Sequence, residues 1–97
     1  MTEPRGPSPQ EDGSGALVFP TDFPIKIMGL NDLEFEPRIV EAVRLHAPDL
    51  DLTTLEVRQS SGGKYVSLTL TVRARSRAQL DAIYQAVTSH PLVKVVL

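Results

Sequence analysis

The groups in this 97-residue chain that could move a proton near neutral pH are few: His46 and His90, set far apart, and a run of carboxylates from Asp32 to Glu41. Acid–base catalysis needs two such groups converging on one pocket, and nucleophilic catalysis needs a hydroxyl, thiol or amine beside a base. Neither constellation is visible. Each histidine falls in the last turn of an expected helix, where the dipole favours a cation; the acids gather at the start and outer side of the first expected helix, where it favours anions. Cysteine is absent, which removes disulfides, thiolate metal sites and a thiol nucleophile, and two isolated histidines are too few for a histidine-based metal centre. No P-loop, GxGxxG or HExxH spacing occurs, and Gly62–Gly63 reads as turn glycine rather than a phosphate cradle. The expectation is a protein that is not an enzyme, with no catalytic residue, no metal and no cofactor.

Length and charge narrow the class further. A chain of this size supports one small domain, which buries about 60% of the surface its unfolded form exposes. The formal net charge is −2, and its distribution says more than its sum. Residues 1–20 hold Glu3, Glu11 and Asp12 against Arg5. Residues 21–56 hold eight acids (Asp22, Asp32, Glu34, Glu36, Glu41, Asp49, Asp51, Glu56) against Lys26, Arg38 and Arg44, whereas residues 57–97 hold six bases (Arg58, Lys64, Arg73, Arg75, Arg77, Lys94) against Asp81. The remainder after the first twenty residues is thus neutral but split into an acidic and a basic half. No stretch approaches the roughly 18 apolar residues of a membrane span, and the first ten residues lack a signal peptide's basic start and apolar centre. Together with the missing cysteines this leads to an expected cytoplasmic address with no membrane partner.

The elements that must position these charges follow from periodicity. Residues 1–20 are rich in Pro, Gly, Ser and acid and are expected to be a disordered leader, with Leu17–Phe19 able to dock on the domain that follows over 21–97. Phe23, Ile25 and Ile27 alternate with polar neighbours in a first strand that Gly29 is expected to end. Asn31 or Asp32 can cap a helix in which Pro37 is tolerated in the first turn; its stripe of Ile39, Val40, Val43 and Ala47 runs to Pro48. Thr53–Ser60 alternates as a second strand, Ser60–Lys64 is a glycine-bearing hairpin connection, and Tyr65–Ala74 alternates most clearly, with Val66, Leu68, Leu70 and Val72 on one side. Ser76 and Gln79 form a capping-box signature ahead of the stripe Leu80, Ile83, Tyr84, Val87, and Val93, Val95 and Leu97 are the expected inward residues of a last strand.

The order β-α-β-β-α-β is the split βαβ arrangement. It predicts an α+β fold, a two-layer ferredoxin-like sandwich in which both helices cover one face of a four-stranded antiparallel sheet and strands one and three are central. The uncovered face is then expected to display Lys26, Met28, Thr54, Glu56, Arg58, Tyr65, Ser67, Thr69, Thr71, Arg73 and Lys94. Bases outnumber acids on it, which makes Lys26, Arg58, Tyr65, Arg73 and Lys94 the candidate partner-binding residues. The expected partner is another protein or a second copy of the chain. Sheet-based RNA readers stack bases on two or three aromatics, and Tyr65 alone is a poor basis for nucleic-acid binding.

The run Phe23–Pro24–Ile25–Lys26–Ile27–Met28–Gly29, then His46–Ala47–Pro48, Ser60–Ser61–Gly62–Gly63–Lys64–Tyr65–Val66–Ser67 and the ending His90–Pro91–Leu92–Val93–Lys94–Val95–Val96–Leu97 resemble the YbeD-like family of small bacterial proteins of unknown function. The likeness covers about residues 19–97. It implies the same βαββαβ fold, similar to the ACT regulatory domains attached to some amino-acid biosynthetic enzymes, whose effectors bind near the loop after strand one. On this chain that likeness points to Met28, Gly29, Leu30 and Asn31 as a small-molecule effector site, the alternative to protein association. Asp32, Glu34 and Glu36 crowd the same corner with negative charge.

Overall fold

The alternation at Tyr65–Ala74 is realised as a ten-residue strand whose odd and even positions meet different surroundings. A computed structural model describes residues 17–97; most of the expected leader, residues 1–16, lies outside the described residues. In chain order the elements are β1 (Thr21–Leu30), α1 (Phe35–Arg44), β2 (Glu56–Gln59), β3 (Tyr65–Ala74), α2 (Arg77–Thr88) and β4 (Val93–Val96), with a single 3-10 turn at Leu52–Thr54. The strands form one antiparallel sheet in the order β2-β3-β1-β4, with the first and third strands central as expected. The arrangement is the α+β, βαββαβ ferredoxin-like sandwich.

The core lies between the helices and one face of the sheet. Ile25 and Ile27 of β1 and Leu68, Leu70 and Val72 of β3 meet Ile39 and Val43 of α1 and Ile83 and Val87 of α2, all at most 1% exposed. Each such side chain contributes on the order of 1.5–3 kcal/mol on burial. Helix α2 begins as its signature implies: the Ser76 hydroxyl accepts from the Gln79 N–H at 3.1 Å. The Gln79 side chain departs from a closed capping box, accepting from the Arg75 N–H at 2.6 Å and donating to the His46 carbonyl at 2.9 Å, which ties α2 to the end of α1. At the hairpin, Gly63 has a φ of 74°, a conformation that suits glycine, and its N–H donates to the Ser60 carbonyl.

Four local expectations are corrected. Strand β1 does not end at Gly29 but runs through it to Leu30, because Gly29 faces the core and is covered there. A methyl group on Gly29 would collide with the Leu92 carbonyl oxygen and the Phe35 ring. Helix α1 ends at Arg44, short of His46–Ala47; the His46 N–H reaches back to the Val43 carbonyl, a tighter turn that closes the helix. The second strand starts at Glu56 instead of Thr53, because the Asp51 carboxylate accepts from both the N–H and the hydroxyl of Thr53 and bends Leu52–Thr54 into its 3-10 turn. In β4 a bulge alters the register: Met28 lies opposite Val95 and Gly29 opposite Val93, so Lys94 is the extra residue. Val93 and Val96 therefore pack against the core, while Val95 and Leu97, expected to be inward, are 43% and 67% exposed.

Candidate functional site

The face of the sheet away from the helices is built in rows by the register. One row runs Arg58 (β2), Ser67 (β3), Met28 (β1), Val95 (β4). The next runs Glu56, Thr69, Lys26, and Leu97 joins it through a reciprocal pair of backbone bonds with Lys26, at 3.1 and 2.8 Å. Above these, Tyr65 lies opposite Leu30, and the Lys64 ammonium stands 5.5 Å from the Tyr65 ring centroid. Below them, Thr71 lies opposite Pro24 and Arg73 opposite Asp22. Four of the five expected partner-binding residues, Lys26, Arg58, Tyr65 and Arg73, thus share this face. The fifth, Lys94, is exposed at the bulge, and it is Val95 that lies beside Met28.

The two ends of the face differ in charge. At the lower end Arg73 pairs with Asp22 at 3.2 Å, and Arg75 pairs with Asp49 at 2.6 Å. Asp22, Asp49 and Asp51 share with Arg73 a shallow hollow of about 170 Å³. The Asp51 carboxyl is held below the ordinary carboxylate range, first by the Thr53 hydroxyl and then by the Thr53 N–H. The upper end has no such compensation: among the described residues no carboxylate lies within ion-pair distance of Lys26, Arg58 or Lys64. Glu56 shares a row with Lys26 but stands two strands away, about 10 Å. Composition alone concealed this, since Asp22 and Arg73 are 51 positions apart and their pairing depends on register.

At the upper end Met28, Arg58, Tyr65 and Ser67 line a hollow of about 180 Å³. Ser67 is only 7% exposed, the one buried polar residue of the described chain, and its hydroxyl has no hydrogen-bond partner among the described residues. Val95 and Leu97 extend the apolar part of this surface toward the β4 edge. Sequence reasoning missed both, and no signal in Val93–Leu97 could have placed them, because three valines in four residues fit either parity.

The residues expected to take a small molecule are placed differently. Gly29 is buried, and the close approach it allows is used by Phe35 and Leu92. The Leu30 N–H donates to the Leu92 carbonyl at 3.0 Å. Asn31 donates from its backbone to the Lys64 carbonyl and from Nδ2 to the Gly63 carbonyl at 2.8 Å, clasping the hairpin. Met28 points the other way, into the open-face hollow. The structure thus does not bring the four together around a cavity. The His90 Nδ1 accepts from the Leu92 N–H, which commits that ring to the turn after α2.

A single ferredoxin-like layer pair with one organised, partly basic open face describes a small α+β module. The chain belongs to the family described as "Protein of unknown function (DUF493)", whose model matches residues 15–97. It is similar to proteins named UPF0250 from several bacteria. That of Paraburkholderia phytofirmans is 58% identical over 81% of this chain and 89% of its own length. That of Janthinobacterium sp. is 53% identical over 84% and 89%, and that of Neisseria gonorrhoeae 48% identical over 91% and 97%. These are the YbeD-like small bacterial proteins that the sequence resembles. No described helix is long and apolar enough to cross a membrane.

Proposed function

We propose that this chain is a non-catalytic binding module that acts in the cytoplasm by protein association, through the open face of its sheet. The observation that carries the reading is the upper half of that face, where half-buried Met28, Leu30 and Tyr65 and exposed Val95 lie among Lys26, Arg58 and Lys64, none of them paired to a described carboxylate. A surface kept only for solubility would not need apolar side chains in adjoining rows with cations around them. The bonds that Asn31 makes to the hairpin and the cover over Gly29 weigh against an effector site at Met28–Asn31. A lone face aromatic, Tyr65, weighs against base stacking.

The test is cross-linking in living cells with tagged full-length chain, comparing wild type with Met28→Glu, which alters the open face, and with Leu45→Glu, which alters an exposed position just after α1. The expected result is at least one protein retained by wild type and Leu45→Glu and lost by Met28→Glu. Equal retention by all three would refute the reading.

A further inference from the structure

We infer that the hollow between Met28, Arg58, Tyr65 and Ser67 is a socket for one apolar side chain of an acidic protein segment. The inference rests on the docking reading above and specifies its partner. Three observations converge. The first is shape: about 180 Å³ of open volume, lined by Met28, Tyr65 and Ser67, suits one side chain of leucine or phenylalanine size rather than a cofactor. The second is Ser67, a residue only 7% exposed that lines the hollow and whose hydroxyl has no partner among the described residues. A buried hydroxyl left unsatisfied is costly, and a segment seated here could supply its backbone carbonyl. The third is charge. Arg58 on the rim, Lys64 beside Tyr65 and Lys26 in the next row carry three positive charges that no described carboxylate pairs, so carboxylates flanking the anchoring side chain are the matching partner chemistry.

A second copy of this chain fits less well. Stacked face to face with its strands reversed, it would bring the lower end of its sheet over these cations. There Asp22 and Asp49 are already paired with Arg73 and Arg75, leaving Asp51, and Glu56 in the middle rows, to oppose three charges.

The test uses the full chain and fluorescein-labelled peptides Glu-Asp-Glu-X-Glu-Asp-Glu, with X as Leu, Phe or Ala, and a Lys-for-acid control, read by fluorescence anisotropy and by methyl shifts of Met28 and Val95. The expected result is binding that weakens with salt, follows X in the order Leu or Phe above Ala, is absent for the control, and falls roughly tenfold in Arg58→Glu, since reversing a rim charge turns one attraction into a repulsion. Ser67→Ala, which removes the hydroxyl and adds no bulk, should weaken the Leu peptide several-fold while Leu45→Glu leaves it unchanged. Methyl shifts on the open face without dependence on X would overturn the socket and leave the docking reading standing. Shifts confined to the helical side would overturn both. No binding by any peptide overturns the acidic-segment inference alone, because the cellular cross-linking test of the face does not depend on it. Concentration-dependent doubling of mass in sedimentation, abolished by Arg58→Glu, would replace the acidic segment with a second copy.

Discussion

Neighbouring residues of β3 meet opposite conditions. Leu68 and Leu70 are 0% and 1% exposed against the helices, while Thr69 and Thr71, one step away on the other side, are half-buried on the open face. The covered face is determined by volume, because every atom there has a packing partner and none can be removed without leaving a void. The open face is determined by charge and hydrogen-bonding capacity, and no helix packs on it. On the reading proposed above, the first face holds the fold and the second is the docking surface. The difference sets out how each face should respond to change.

The largest effect belongs to the covered face. Leu68→Ala should destabilise the domain by about 2–5 kcal/mol, and Thr69→Ala by less than about 0.5 kcal/mol, in chemical denaturation followed by circular dichroism. If the two costs were equal, the division of β3 into two faces would be wrong. Next comes Gly29→Ala, where the added methyl meets the Leu92 carbonyl oxygen and the buried Phe35 ring, so that one of them must shift. Overpacking of this kind costs about 1–3 kcal/mol, and the melting temperature should fall accordingly. A neutral Gly29→Ala would mean that the strand shifts easily at the bulge and that the site is open to a ligand after all.

The two ends of the open face should also separate. Arg73→Glu breaks an exposed ion pair with Asp22 and adds a carboxylate near Asp49 and Asp51, a loss of up to about 1 kcal/mol that salt should reduce. Arg58→Glu has no described partner to lose, and the urea midpoint should barely move. The smallest effect concerns Asp51. Its carboxyl titrates below the ordinary range in the folded protein, so the stability it lends is present above the unfolded value, about pH 4, and is lost as pH falls through the lower folded value. Thr53→Val removes the first cause of that depression. The Asp51 carboxyl midpoint, followed by carbon NMR, should then rise toward the ordinary carboxylate value; an unchanged midpoint would show that the backbone N–H of residue 53 alone sustains it.

Legibility from sequence tracks how locally each feature is determined. The ten-residue alternation of β3, the stripe Leu80–Ile83–Val87 and the Ser76–Gln79 signature are readable because their physics spans a few residues, and the element order then limits the topology. The start of β2 was hidden by Asp51, whose side chain offered the Thr53 backbone a turn in competition with the sheet. The faces of β4 were hidden by a bulge, which exchanges Lys94 for Val95 and makes the open surface more apolar than alternation implies. Its charge was misjudged for another reason: Asp22 and Asp49 reach Arg73 and Arg75 only through tertiary pairing. The basic character expected along the whole face is concentrated at the Arg58 end.

The separation of fold from recognition is tested most directly by Lys26→Glu with Arg58→Glu, read for both properties in one preparation. The unfolding free energy from urea titration should stay within about 1 kcal/mol of wild type, since both side chains are exposed, and the cellular cross-link that Met28→Glu abolishes should be lost. Retention of that cross-link with both cations reversed, or unfolding of the variant, would contradict the account.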